Sequence, residues 1–109
     1  MATFFRNKVV KDLGTASVHM IETTATSRTT VIGLSMTNLT SATIKVSITL
    51  TDNTSTTGYF IKDVTIPPNQ SLRVINGGEK LVMAENNLLA AFADRNDAAD
   101  VIVSYVEIV

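Results

Sequence analysis

The chain has 109 residues, nine of them Lys or Arg and ten Asp or Glu, for a net charge of −1, and it has no cysteine. That excludes a disulfide framework and a thiolate metal site. The basic residues are scattered singly, which excludes the clustered basic face that nucleic-acid binding requires.

A chain of this length buries roughly two-thirds of its unfolded surface, enough for a single domain over residues 1–109. Only 17% of the residues are charged, beside about 25% in an average globular protein. So little charge on so small a domain favours partial cover by a partner chain. The segment Met1–Lys8 has no apolar stretch of signal-peptide length, and no run approaches the roughly 20 apolar residues of a membrane helix. The product is therefore expected to be made and kept in the cytoplasm, or released by lysis, without contact with a membrane.

Apolar–polar alternation dominates, and threonine fills many of the polar positions. The β-branched threonine suits an extended backbone, and its hydroxyl tolerates water on an exposed face. Strands are expected at Phe4–Val10, with residues 1–10 forming an N-terminal arm or edge strand, and at Ser17–Glu22. Between Thr29 and Leu39, Ile32, Leu34 and Met36 share one face. Asn38-Leu39-Thr40-Ser41 then predicts a hairpin into a strand at Thr43–Thr51, where Ile44, Val46, Ile48 and Leu50 alternate with polar residues.

A polar loop, Asp52–Gly58, leads to a strand at Tyr59–Thr65, which the paired prolines of Ile66-Pro67-Pro68-Asn69 must end. Leu72–Ile75 is followed by a tight turn at Asn76-Gly77-Gly78. Strands at Glu79–Met83 and Leu88–Ala93 flank a break at Ala84–Asn87, which argues against one helix over Leu81–Asp94. The last strand, Val101–Val109, follows the polar loop Asp94–Asp100. About eight short strands with regular turn signals predict an all-β antiparallel sandwich, jelly-roll-like in class.

The last strand is apolar on both faces. Val101, Val103 and Tyr105 alternate with Ile102, Val106 and Ile108, so both faces should be covered. Two readings stand: a central strand whose outer face meets a loop, or a subunit interface. Phe4 and Phe5 pose the same question, since consecutive strand residues face opposite ways. These eight residues form the candidate interface.

The residues offer no catalytic set, and the chain is read as a non-enzyme. His19 is the only histidine and has no Ser, Cys or second His at a recognisable spacing, so it is read as a structural strand residue. Asp94, Asn96, Asp97 and Asp100 supply hard oxygens but lack the glycine and closing glutamate of an EF-hand loop. They are read as solvated, with no metal and no cofactor. Tyr59 and Phe60 are read as core residues, although their threonine-rich surroundings are the one place where a sugar could stack.

Several segments together carry a resemblance. Met1-Ala2-Thr3-Phe4-Phe5-Arg6-Asn7, Thr30–Leu34 with Asn38 following, Ile66–Leu72, and Asp100–Ile108 resemble the small virion proteins of tailed bacteriophages, cyanophages included. The corner at Asn69-Gln70 departs from a glycine-richer version in that group. The resemblance implies a capsid cement (decoration) protein, often a homotrimer, located in the virion and binding the major capsid protein or another virion protein. A tail, collar or fibre-associated module and a glycan- or receptor-binding sandwich are the alternatives.

Overall fold

A computed structural model describes residues 1–75 and 78–109, and the expected turn at Asn76-Gly77 lies outside them. Among the described residues nine strands are formed: β1 (Thr3–Leu13), β2 (Val18–Glu22), β3 (Arg28–Asn38), β4 (Ile44–Thr51), β5 (Thr57–Ile66), β6 (Ser71–Ile75), β7 (Leu81–Met83), β8 (Leu88–Ala93) and β9 (Ala99–Ile108). All pairings are antiparallel. One sheet has the order β1-β9-β3-β6, with β7 also on β3, and the other has the order β2-β8-β4-β5. The two sheets enclose one apolar core, as the alternation predicts.

The pairings are nested. β1 pairs with β9, β2 with β8, β3 with β6 and β7, and β4 with β5. β6 and β7 lie end to end along β3, against Leu34–Thr37 and Thr29–Val31, and act as one interrupted strand. The chain is thus a long ribbon doubled back at the β4–β5 loop. It is rolled so that β9 also pairs with β3 and β8 with β4. A ribbon rolled this way is the double-sheet jelly-roll arrangement.

Rolling has a local consequence. Apart from β4–β5 and β6–β7, every connection crosses from one sheet to the other. The expected hairpin at Asn38–Ser41 is therefore not one, because β3 and β4 lie in different sheets. The segment is a corner held by the buried side chain of Asn38. Its Nδ2 shares two protons among the carbonyls of Ala42 (2.8 Å), Ile66 (3.0 Å) and Pro67 (3.1 Å). Its Oδ1 accepts from the Thr40 N–H and hydroxyl, both at 2.8 Å. One amide thus satisfies two corners, the second being the proline corner after β5.

At the opposite end Thr23 does similar work. Its hydroxyl donates to the Ala84 carbonyl and accepts from the Asn87 N–H at 2.7 Å, tying the β2–β3 and β7–β8 corners together.

Bulges adjust which side chains reach the core. The β3–β9 register shifts between Val31 and Gly33, so Ile32 is the extra residue. Val31, Leu34 and Met36 are buried, while Ile32 is only half-buried, correcting the expectation that Ile32 shares the core face. In β2 a shift between His19 and Ile21 buries Met20 and Ile21 in succession. His19 stays exposed and meets Glu22, with Nδ1 2.7 Å from Oε1.

Removing the Asn38 amide strands buried backbone groups at two corners. Asn38→Ala is expected to cost about 2–3 kcal/mol, read from urea denaturation curves. A loss under about 0.5 kcal/mol, within the range of ordinary surface substitutions, would show that water replaces the amide there.

Candidate interaction surface

β9 sits between β1 and β3, and its alternation divides its side chains between two environments. Val101 and Val103 point inward and are fully buried, so they belong to the core and not to a surface, correcting their place in the candidate interface. Tyr105 packs against the edge of the same core. Ile102, Val106 and Ile108 point outward with Ser104.

Residues paired directly across antiparallel strands share a face, so the register defines rows on the outside of the five-stranded sheet. One row is Phe5, Val106, Thr30 and Val82, across β1, β9, β3 and β7. Another is Val9, Ile102, Ser35 and Arg73, across β1, β9, β3 and β6.

Phe5 is 81% exposed, Val82 69%, Val9 57% and Ile102 48%. Val106, Ile108 and Ile32 are half-buried among them. The result is a wide face on which these apolar side chains stand among Thr3, Asn7, Thr30, Ser35 and Ser104, with Arg28 and Arg73 at its margins. Between the rows, Gly33 leaves a shallow depression of about 280 Å³ bounded by Ile32, Ser35, Arg73, Ile102 and Ser104. Of the first expected reading of the last strand only the central position holds: the outer face does not meet a covering loop at Ile102, which stands bare.

Phe4 and Phe5 face opposite ways, as expected, and neither enters the core. Phe4 lies on the inner side of β1 and is 42% exposed. The Arg6 guanidinium lies 4.8 Å above the Phe4 ring, and its Nε donates to Glu107 Oε1 at 2.8 Å.

A second surface lies at the tip of the ribbon. Tyr59 is 54% exposed, not a core residue as expected, because β5 is an edge strand beside an open loop. Phe60 does pack against the core. A groove of about 320 Å³ is lined by Leu50, Asp52, Thr56, Gly58, Tyr59 and Phe60, and Lys62 Nζ lies 5.6 Å from the Tyr59 ring. Asp52 Oδ1 accepts from the Thr54 hydroxyl (2.6 Å), the Thr54 N–H (2.9 Å) and the Thr56 N–H (3.1 Å). The Thr54 hydroxyl, followed by the backbone N–H of Thr56 and of Thr54, holds this carboxyl below its ordinary range.

The acidic loop after β8 does not converge. Asp94 Oδ1 accepts from the Lys45 N–H, and Asn96 Oδ1 from the Thr15 N–H and hydroxyl. Asp100 takes the Asp12 N–H and Lys11. These oxygens serve three different segments, and no group of three metal-ligating side chains occurs among the described residues. The Asp100 carboxylate, by hydrogen bond and charge, raises the Lys11 ammonium above its ordinary pKa.

No family model matches the chain, and no curated protein matches it. Solved structures share its fold. One is a chain of the acid-stable capsid of Helicobacter pylori bacteriophage KHP30. It is 8% identical with a TM-score of 0.56, over 99% of this chain and 89% of that one. Another is a chain of the T13 IBDV viral particle, 9% identical with a TM-score of 0.55. The match covers 96% of this chain but spans only 30% of that one. At such identities the likeness is one of fold.

Two outcomes follow from the local geometry. A Cβ added at Gly33 meets only Ser104, at 3.7 Å, and the backbone φ is not positive. Gly33→Ala is therefore expected to raise stability by about 0.5–1 kcal/mol in thermal unfolding; a loss would mean that the bulge itself requires glycine.

A carboxylate with a depressed folded pKa contributes stability that is complete above its unfolded value, 3.8, and is lost as the pH falls through the lower folded value. The Thr54 and Thr56 amide resonances should therefore titrate with a midpoint below the unfolded value. A midpoint at or above it would show the Asp52 cap to be absent in solution.

Proposed function

We propose that the chain is a virion structural protein of the capsid cement type, seating the outer face of its five-stranded sheet on the major capsid protein. The observation that carries this is the exposure of four large apolar side chains, Phe5, Val9, Val82 and Ile102, on one sheet face, since apolar side chains gathered on an exposed face mark an interaction site. The fold shared with a phage capsid chain along almost its whole length supports the same reading. So does the resemblance of its sequence segments to small phage virion proteins. On this reading no chemistry is required of the protein. Stabilisation comes from burying apolar area between neighbouring shell subunits.

The same face would serve a tail, collar or fibre-associated module, with a different virion protein as its support. A homotrimer would match a three-fold position on a shell; that symmetry match is its support, whereas the edge of β1 favours a two-fold pair. A glycan-binding role is the second functional reading. Its support is the groove at the ribbon tip, where a half-exposed Tyr59 stands beside the carboxylate of Asp52.

Purified protein should co-sediment with capsids that lack it and raise their resistance to heat. Burying one such side chain contributes about 1.5–3 kcal/mol, so Ile102→Asp and Val82→Asp should each weaken binding roughly tenfold or more, with circular dichroism unchanged. If the protein sediments with neither heads nor tails but is captured on a glycan array, and Tyr59→Ala abolishes capture, the glycan reading replaces the structural one.

A further inference from the structure

The free edge of β1 has a chemistry that specifies its occupant. The Ala2 N–H donates to the Val109 carbonyl at 2.8 Å and the Val109 N–H to the Ala2 carbonyl at 2.9 Å, making these two a hydrogen-bonded pair. Such pairs alternate along an antiparallel ladder. Phe4, Arg6, Lys8 and Val10 therefore spend their backbone groups on β9. Thr3, Phe5, Asn7 and Val9 direct theirs outward, leaving a row of unpaired donors and acceptors about 20 Å long.

The other edges are unfit for pairing. β2 has five residues and a bulge, β6 and β7 have five and three, and β5 is broken by two register shifts and by Asp63 at φ 49°. β1 keeps an unbroken register from Thr3 to Val10, and its irregularity, with Asp12 at φ 55°, begins only beyond. A long regular edge takes another β-strand.

We infer that this strand is β1 of a second copy, paired antiparallel about a two-fold axis centred on Phe5. Charge selects the register. Centring on Arg6 places Arg6 opposite its own copy, and centring on Asn7 places Arg6 opposite Lys8 twice; like charges directly opposite are unfavourable. Centring on Phe5 sets Phe5 against Phe5, Thr3 against Asn7, and each Phe4 against the other copy's Arg6. That last pairing extends across the seam the cation–π contact already present within one chain.

This register makes about six backbone hydrogen bonds and covers the most exposed aromatic ring. A head-to-tail trimer through edges would need a second long regular edge of different character, and none occurs among the described residues. The inference does not depend on the virion reading.

The test uses the full chain. Light scattering coupled to size exclusion at high micromolar concentration should give twice the 11.7 kDa monomer mass, falling on dilution. Asn7→Pro removes an N–H that points to the free edge and no β1–β9 bond. It should leave thermal unfolding almost unchanged and give a monomer.

Phe4→Arg, at a residue outside the core, sets arginines against each other and should weaken dimerisation about tenfold or more, more so at low salt. It reports even if Asn7→Pro fails to fold. Because the chain has no cysteine, Phe5→Cys supplies the only thiol, and mild oxidation should link two chains across a Cα separation of about 5.5 Å. Val82→Cys, on the same face but far from the seam, should stay unlinked. A monomer at every concentration, three times the monomer mass, or a dimer unaffected by both Asn7→Pro and Phe4→Arg would overturn the inference.

Discussion

β9 holds this fold closed, and most of its other properties follow from where β9 lies. It completes the outermost rung of the ribbon by pairing with β1, and it closes the roll by pairing with β3. A strand flanked on both sides cannot shed its inner face, so Val101 and Val103 are the natural centre of one core layer. Its outer face has a different fate. In a rolled ribbon the connections that cross between sheets lie at the two ends of the sandwich, away from the middle of either sheet. Ile102 is bare because the topology supplies nothing to cover it, although the sequence at that position is as aliphatic as in the core.

The crossings carry their own constraint. A chain leaving one sheet for the other breaks its ladder on both, and the freed backbone groups must find partners without water. Buried side chains supply them: Asn38 at one end, and Thr23 and Ser27 at the other. Asn38 serves two corners that are 28 residues apart in sequence. This lets the β3–β4 and β5–β6 crossings fix each other, and it sets the spacing of the sheets at that end.

The strands themselves were legible in the sequence, because a period of two follows directly from one-sided burial. Val46, Ile48 and Leu50 could be placed from their neighbours alone, and the proline corner from the chemistry of Pro67 and Pro68. What was not legible depended on partners distant in the chain. Asn38–Ser41 has the composition of a hairpin turn, and only the assignment of β3 and β4 to different sheets makes it a corner. The outward turn of Ile32 follows from a register shift against β9, about 70 residues away, a separation no local pattern records. Tyr59 was expected in the core because aromatic residues usually are, yet its exposure follows from β5 being an edge. Of the candidate interface, the alternation correctly separated Val101 and Val103 from Ile102, Val106 and Ile108. Which set faced the core followed only from the partners.

The outer face and the free edge meet at one residue. Phe5 ends the row Phe5–Val106–Thr30–Val82 on the sheet face, and it also belongs to the unpaired backbone row of β1. Adding a second β1 about an axis at Phe5 would therefore do more than satisfy an edge. It would join that row to its symmetry mate, so the apolar pairs Phe5–Val106 of two chains would meet at the seam, with Thr30 and Val82 flanking them on either side.

A short strand pair alone gives a weak dimer, since its area lies at the small end of specific interfaces. A doubled face bound to a common support is different, because the second half binds at the effective concentration set by the first. Weak self-pairing in solution and firm attachment to a surface are then two outcomes of one arrangement. An edge left regular and a face left bare on the same strand are what such an arrangement requires.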